Sequence, residues 1–185
     1  DDVYTPAVLD ILKEKDVKAT FFLIGKRVEE FPEVAKRIAN EGHLVGNHSY
    51  SHADLDKASS LMEQELTKAQ AAFKKLGFGD NYIFRPAYGA ANPSIVEQVA
   101  NLGYKVAMWS VDSLDWTGLS AAEVFRNVSG NIVPGAVVLQ HSSGGPGEDL
   151  SGSVTAIPQI IDDLRAKGYR FVTMDEMFKL NEPGP

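Results

Sequence analysis

Residues 19–48, ATFFLIGKRVEEFPEVAKRIANEGHLVGNH, decide the fold class. Ala19-Thr-Phe-Phe-Leu-Ile24 is a continuous apolar run of strand length. Pro32 opens a helix through Val34, Ala35 and Ile38, and Gly42 closes it. His43-Leu-Val-Gly-Asn-His48 is the next strand. A strand, a helix of about ten residues and a second strand predict a parallel βαβ unit, covered on both faces or closed as a barrel.

The same alternation extends in both directions. Thr5-Pro6 reads as N-cap and first helical residue, with Val8, Leu9 and Leu12 on one face. Ser60-Leu-Met-Glu63 and Ser120-Ala-Ala-Glu123 have the capping-box pattern, and Asn92-Pro93 caps a helix closed by Gly103. Strands are expected at Tyr82–Pro86, Tyr104–Asp112, Ala136–His141 and Tyr169–Met174, with a helix over Val154–Lys167 stopped by Gly168. Six strands are visible. Repeats, low-complexity segments and interdomain linkers are lacking, so residues 1–185 are expected to form a single domain.

Composition narrows the function. The net charge of −7 argues against nucleic acid as a partner, because phosphate binding needs a basic face and none is visible. No run of about 18 apolar residues marks a transmembrane segment. With zero cysteines, any metal site must use nitrogen and oxygen ligands. Absence of cysteine suits an extracellular bacterial enzyme. Oligomeric state leaves no mark on the sequence.

The polar residues collect at strand C-terminal ends: His48, Arg85, Asp112 with Asp115, and His141. In a barrel that rim carries the chemistry. The predicted fold is therefore α/β, a distorted (β/α) barrel with a metal site at its mouth. His48-Ser-Tyr-Ser-His52 supplies two imidazoles that could converge on a zinc-like ion, or two solvated loop histidines. Arg85, before a Pro- and Gly-stiffened turn, could clamp a carboxylate with its planar fork or pair with a surface acid. Asp112-Ser-Leu-Asp-Trp116 offers two carboxylates and an indole, or a helix-capping acid beside a half-buried Trp. His141 could be structural or, given a carboxylate partner, a general acid.

These four motifs, in this order and at these spacings, resemble those of the NodB-type polysaccharide deacetylases, carbohydrate esterase family four. The resemblance covers nearly the whole chain, from Tyr4-Thr-Pro through Ala19-Thr-Phe-Phe to Phe171-Val-Thr-Met-Asp-Glu. It implies that His48 and His52 bind a divalent metal, zinc by expectation, with cobalt or manganese as alternatives. It implies that Arg85 orients the catalytic base and that the Tyr88 backbone N–H helps bind the oxyanion. Asp115 would tune the acid histidine and Trp116 would line the groove. Leu139 would pack beside the acetyl methyl, and His141 would protonate the leaving amine. His43 matches none of these motifs and reads as structural.

One motif departs from the family. Its members carry Thr-Phe-Asp-Asp-Gly-Pro on the first strand, the first Asp being the base and the second the third metal ligand. This chain opens Asp1-Asp2-Val-Tyr-Thr-Pro, directly into a helix, and Asp1-Asp2 align better with the variable positions after Gly-Pro. A barrel of about seven parallel strands would lack its first, so the domain is expected to be N-terminally incomplete, with base and third ligand upstream. A catalytic pair recruited after a loop deletion, or a degenerate relative, are the alternatives. The implied function is metal-dependent N-deacetylation of N-acetylglucosamine residues in a peptidoglycan or chitin-like polysaccharide, outside the cell or in a bacterial envelope. The alternatives are an O-acetyl xylan esterase and a non-catalytic glycan-binding relative.

Overall fold

The computed structural model describes residues 1–80, 82–145 and 147–179. Along the chain the elements are α1 (Thr5–Glu14), β1 (Thr20–Leu23), α2 (Gly25–Glu30), α3 (Pro32–Asn40), β2 (Leu44–Asn47), α4 (Met62–Lys75) and β3 (Ile83–Phe84). They continue with α5 (Pro93–Asn101), β4 (Lys105–Val106), β5 (Val111–Asp112), α6 (Ala121–Ser129), β6 (Val138–Leu139), α7 (Ser151–Ala166) and α8 (Met174–Phe178). The fold is α/β with parallel strands, as the sequence predicts. The chain divides into two compact units, one of Thr20–Met108 and the other of Asp1–Ala19 with the segment from Trp109 onward.

In the unit of residues 20–108, β1, β2, β3 and β4 form one sheet in that order, every pair parallel. Thr20 to Leu23 face Leu44 to Asn47 in register, and Asn47 faces Phe84. This register matters for the site, because it brings His48 and Arg85 off neighbouring strands at one level. Beneath them, Phe84, Leu66, Ile95, Val99 and Leu55 form a sealed core, each worth about 1.5–3 kcal/mol in apolar burial. Gly46 exists to admit an aromatic ring: a Cβ there would stand 2.4 Å from Cδ1 of Phe22, its register partner.

In the other unit β5 and β6 pair in parallel, Asp112 facing Leu139. α6 and α7 pack through Val124 and Val128 against Ala156, Ile160 and Leu164. The Ser120–Glu123 capping box forms as expected, and so does the Asn92 cap, whose side chain accepts the Ile95 N–H at 3.0 Å.

Three expectations need correction, and one helix is additional. The single strand over Tyr104–Asp112 is two short ones, because Lys105–Val106 pairs with β3 while Val111–Asp112 pairs with β6. Tyr169–Met174 is not a strand; Tyr169 and Phe171 are held instead by packing on the α6–α7 core, and Met174 starts α8. Ser60 does not cap a helix: a 3-10 turn over Ser59–Leu61 leads into α4, with no side-chain cap. α2 was not expected. Its Gly25 lies so close to α4 that a Cβ would fall 2.7 Å from Ala69 Cα. No described helix is long and apolar enough to cross a membrane.

Candidate active site

His48 leaves the end of β2 buried, and its Nδ1 lies 2.5 Å from the Arg85 carbonyl oxygen. A carbonyl can only accept, so Nδ1 carries the proton, and in the neutral ring Nε2 then keeps its lone pair. Such an outward hydrogen bond is what holds a ligating imidazole in one tautomer. The chain then curls back through left-handed backbone at Ser49 (φ 64) and His52 (φ 62), both non-glycine residues. That curl brings the His52 ring within 4.9 Å of the His48 ring, centroid to centroid. Asn47 and Ser49, both fully buried, brace it. Asn47 Oδ1 accepts the Ser49 N–H at 2.9 Å, and Ser49 Oγ accepts the His52 N–H at 3.0 Å.

Arg85 enters through the sheet ladder, its N–H donating to the Asn47 carbonyl at 3.0 Å. Its guanidinium stands 5.0 Å above the Phe22 ring, a cation–π placement on the platform that Gly46 makes room for. Pro86 leads into the 3-10 turn Ala87–Gly89, where Tyr88 adopts φ 57. The Tyr88 ring is exposed, with its centroid 4.8 Å from that of His52. His48, His52, Arg85 and Tyr88 thus form one cluster.

The second cluster belongs to the other unit. Asp115 is 1% exposed and is reached through Leu114, another left-handed residue (φ 55). Three donors converge on its carboxylate. His141 Nδ1 lies 2.8 Å from Oδ1, the His141 backbone N–H donates to Oδ2 at 2.7 Å, and the Ser153 hydroxyl donates to Oδ2 at 2.5 Å. Burial alone would push this carboxyl up. The hydrogen bonds and charge of His141, with the Ser153 hydroxyl, overrule burial and hold it below the usual carboxylate range. With Nδ1 committed to Asp115, Nε2 is the ring nitrogen of His141 left outside that pair, and the side chain is partly exposed. Leu139 is buried in β6, and Trp116, in the 3-10 turn Asp115–Thr117, is half exposed. Asp112, by contrast, serves the turn, accepting the Leu114 N–H at 2.9 Å.

Asp1 caps a helix. Its Oδ1 accepts the N–H groups of Val3, Tyr4 and Thr5 at 3.1, 2.9 and 3.3 Å, at the start of α1. His43 is buried, edge-on to the Phe21 ring at 5.2 Å. As a test of metal fit, the paired imidazoles and the fixed His48 tautomer suit two nitrogen ligands of a zinc-like ion. Among the described residues, no three His, Cys, Asp or Glu side chains gather around one ion. Two supporting residues escape a reading of the sequence. Ser153 is an ordinary helix serine until its contact with Asp115 is seen. Glu65 accepts the Tyr50 and Ser51 N–H groups, and its only trace in the sequence is a carboxylate on the apolar stripe of α4.

Comparison with known proteins identifies the family. Residues 1–107 match the family model described as polysaccharide deacetylase. The chain is 44% identical over 181 residues to a peptidoglycan-N-acetylglucosamine deacetylase of Bacillus cereus, covering 97% of this chain and 65% of that protein. A chitooligosaccharide deacetylase of Azorhizobium caulinodans is 32% identical, with 89% of this chain and 83% of that protein covered. The chain thus spans just under two thirds of the first relative's length. Among solved structures, a peptidoglycan N-acetylglucosamine deacetylase superimposes with a TM-score of 0.91 at 43% identity, covering 96% of this chain and 82% of that one. A family-four pseudoenzyme from Bacillus anthracis gives a TM-score of 0.85 at 31% identity, covering 94% of this chain and 60% of that one. The expected distorted (β/α) barrel is the fold class of these relatives. By its sequence match and its fold, this chain belongs to the polysaccharide deacetylase family.

Proposed function

We propose that this chain is the catalytic domain of a hydrolase that removes N-acetyl groups from N-acetylglucosamine units of peptidoglycan or a chitin-like polymer. The observation that carries the reading is the buried Asp115 carboxylate fixing His141 Nδ1 at 2.8 Å. A protein that only held glycan would gain nothing from a buried, fully bonded carboxylate orienting one imidazole. The amide rather than the ester of an acetylated xylan is favoured because the relatives above are described as N-acetylglucosamine and chitooligosaccharide deacetylases. The setting that suits such a polymer is the cell envelope or the exterior.

In this reading His48, through Nε2, and His52 hold a divalent cation, zinc by preference, with cobalt or manganese able to substitute. When bound, that cation supplies Lewis-acid polarisation of the acetyl carbonyl and eases deprotonation of the attacking water. The Tyr88 backbone N–H donates to the developing oxyanion, and Arg85 orients the carboxylate base. His141 delivers a proton from Nε2 to the departing nitrogen, while Asp115 stabilises the imidazolium through Nδ1. Leu139 packs against the acetyl methyl, and the exposed Trp116 indole lines the sugar groove. A second reading, a glycan-binding relative without turnover, is favoured by the likeness to the solved pseudoenzyme.

Acetate release from chitooligosaccharides and peptidoglycan fragments separates the two. It should be measured with added zinc or cobalt, on this chain and on one extended upstream to include the family's first strand. Release by the extended chain, abolished in His141→Ala, supports the enzyme. Glycan binding without release by either chain supports the second reading.

A further inference from the structure

The apolar stripe of α4 runs through Met62, Leu66, Ala69 and Phe73, and Glu65 lies on it, 9% exposed. A carboxylate in such a place is costly unless its lone pairs are used. Here they are. Oε2 accepts the Tyr50 N–H at 3.0 Å and the Ser51 N–H at 2.8 Å, and Oε1 accepts the Ser51 hydroxyl at 2.9 Å. All three donors belong to the segment between His48 and His52. We propose that Glu65 is a positioning residue for the histidine pair, clamping the Tyr50–Ser51 peptides so that both imidazoles face one divalent cation.

The geometry of the loop explains the need. Ser49 and His52 both sit in left-handed backbone that non-glycine residues seldom adopt, with φ of 64° and 62°. Between them, two successive N–H groups turn to the same side, a concavity that binds an anion. Glu65 is that anion, supplied from a rigid helix. Asn47 and Ser49 brace the loop from the sheet side, so the ring separation of 4.9 Å is set from two directions. Glu65 touches peptide groups and one hydroxyl, and therefore acts through loop shape. The inference rests on the metal-binding reading of His48 and His52.

The test uses the full chain as wild type, Glu65→Gln and Glu65→Ala, with His48→Ala as control. Cobalt Kd is followed by the visible absorption of bound Co2+, and amide hydrogen exchange is measured residue by residue. The isosteric Glu65→Gln turns an NH2 group toward the loop's donors. It should raise the cobalt Kd about tenfold, the scale seen when outer partners of metal ligands are lost. It should also speed exchange at Tyr50 and Ser51 while core amides such as Val99 keep their wild-type rates. Loss of general stability would move all of these amides together, and that pattern would overturn the inference. Wild-type Kd and wild-type exchange in Glu65→Gln would overturn it as well. Failure of the wild-type chain to bind cobalt would sink the metal reading, and the clamp's purpose with it, and is distinguishable because the exchange data would be unaffected. Should both Glu65 variants fail to fold, Ser51→Ala, which deletes only the hydroxyl bond, decides. A rise in Kd of about threefold supports the clamp and no rise refutes it.

Discussion

Ser153→Ala is the most incisive perturbation of the Asp115–His141 pair. The Ser153 hydroxyl and the His141 backbone N–H share Oδ2 of Asp115, so the substitution leaves that oxygen with one of its two donors. A hydrogen bond to a charged group is worth about 1.5–3 kcal/mol. Gln140, whose Nε2 donates to Ser153 Oγ at 3.2 Å, is not fully buried and can turn to water, adding little. A loss of about 2 kcal/mol in unfolding free energy at pH 7 follows. The pH dependence is the sharper test. Asp115 is held below the usual carboxylate range, against its burial, by His141 and Ser153. The unfolded chain binds that proton more readily, with a pKa of about 3.9. Its stabilising contribution is therefore present above about pH 4 and is lost as pH falls through the folded value. Removing one donor shrinks the depression, so the gap between wild type and Ser153→Ala should be widest at neutral pH and close on acidification. Urea unfolding at steps from pH 7 down to the acid limit of the native state reads this directly. A gap that stays constant across that range would refute the reasoning.

Three further outcomes are expected. His48→Ala should lose bound metal by elemental analysis, whereas His141→Ala should keep it and lower turnover by about 10²–10⁴-fold; loss of metal in His141→Ala would contradict its role as acid. Asn92→Ala removes the helix cap that accepts the Ile95 N–H and should cost about 1 kcal/mol by thermal or urea unfolding, without changing metal content. Gly46→Ala places a Cβ 2.4 Å from the Phe22 ring. It should cost about 1–3 kcal/mol through overpacking and displace the Arg85 guanidinium, visible as a change in its NMR shifts.

Much of this molecule can be read along the chain because the deciding signals are local. The Asn92 and Ser120 caps form where the sequence places them. His48 and His141 follow the apolar runs that end in β2 and β6. What could not be read depends on partners distant in sequence. The run Tyr104–Asp112 has one apolar pattern, yet its halves pair with different strands, and pairing leaves no mark on hydrophobicity. Ser153 meets Asp115 across 38 positions, and Glu65 meets Tyr50 across 15. Tyr169 and Phe171 carry the residue types of a strand but are satisfied by packing on helices. The orienting carboxylate of His141 was visible because Asp115 stands beside Trp116 in a recognisable motif. The clamp on the His48–His52 loop belongs to no motif, so only its position on a greasy helix face could have exposed it.

The left-handed turns at Ser49, His52, Tyr88 and Leu114 have a practical cost for anyone hardening this protein against heat. Strained non-glycine backbone of this kind stores about 1–3 kcal/mol per residue, so glycine at position 114 is an obvious gain on paper. The same exchange would slacken the bend between β5 and the 3-10 turn that carries Asp115 and the Trp116 indole. Thermotolerance won at these four positions would be drawn from the rigidity of the two side-chain clusters, whereas the outer faces of α3 and α5 offer places to seek it without that penalty.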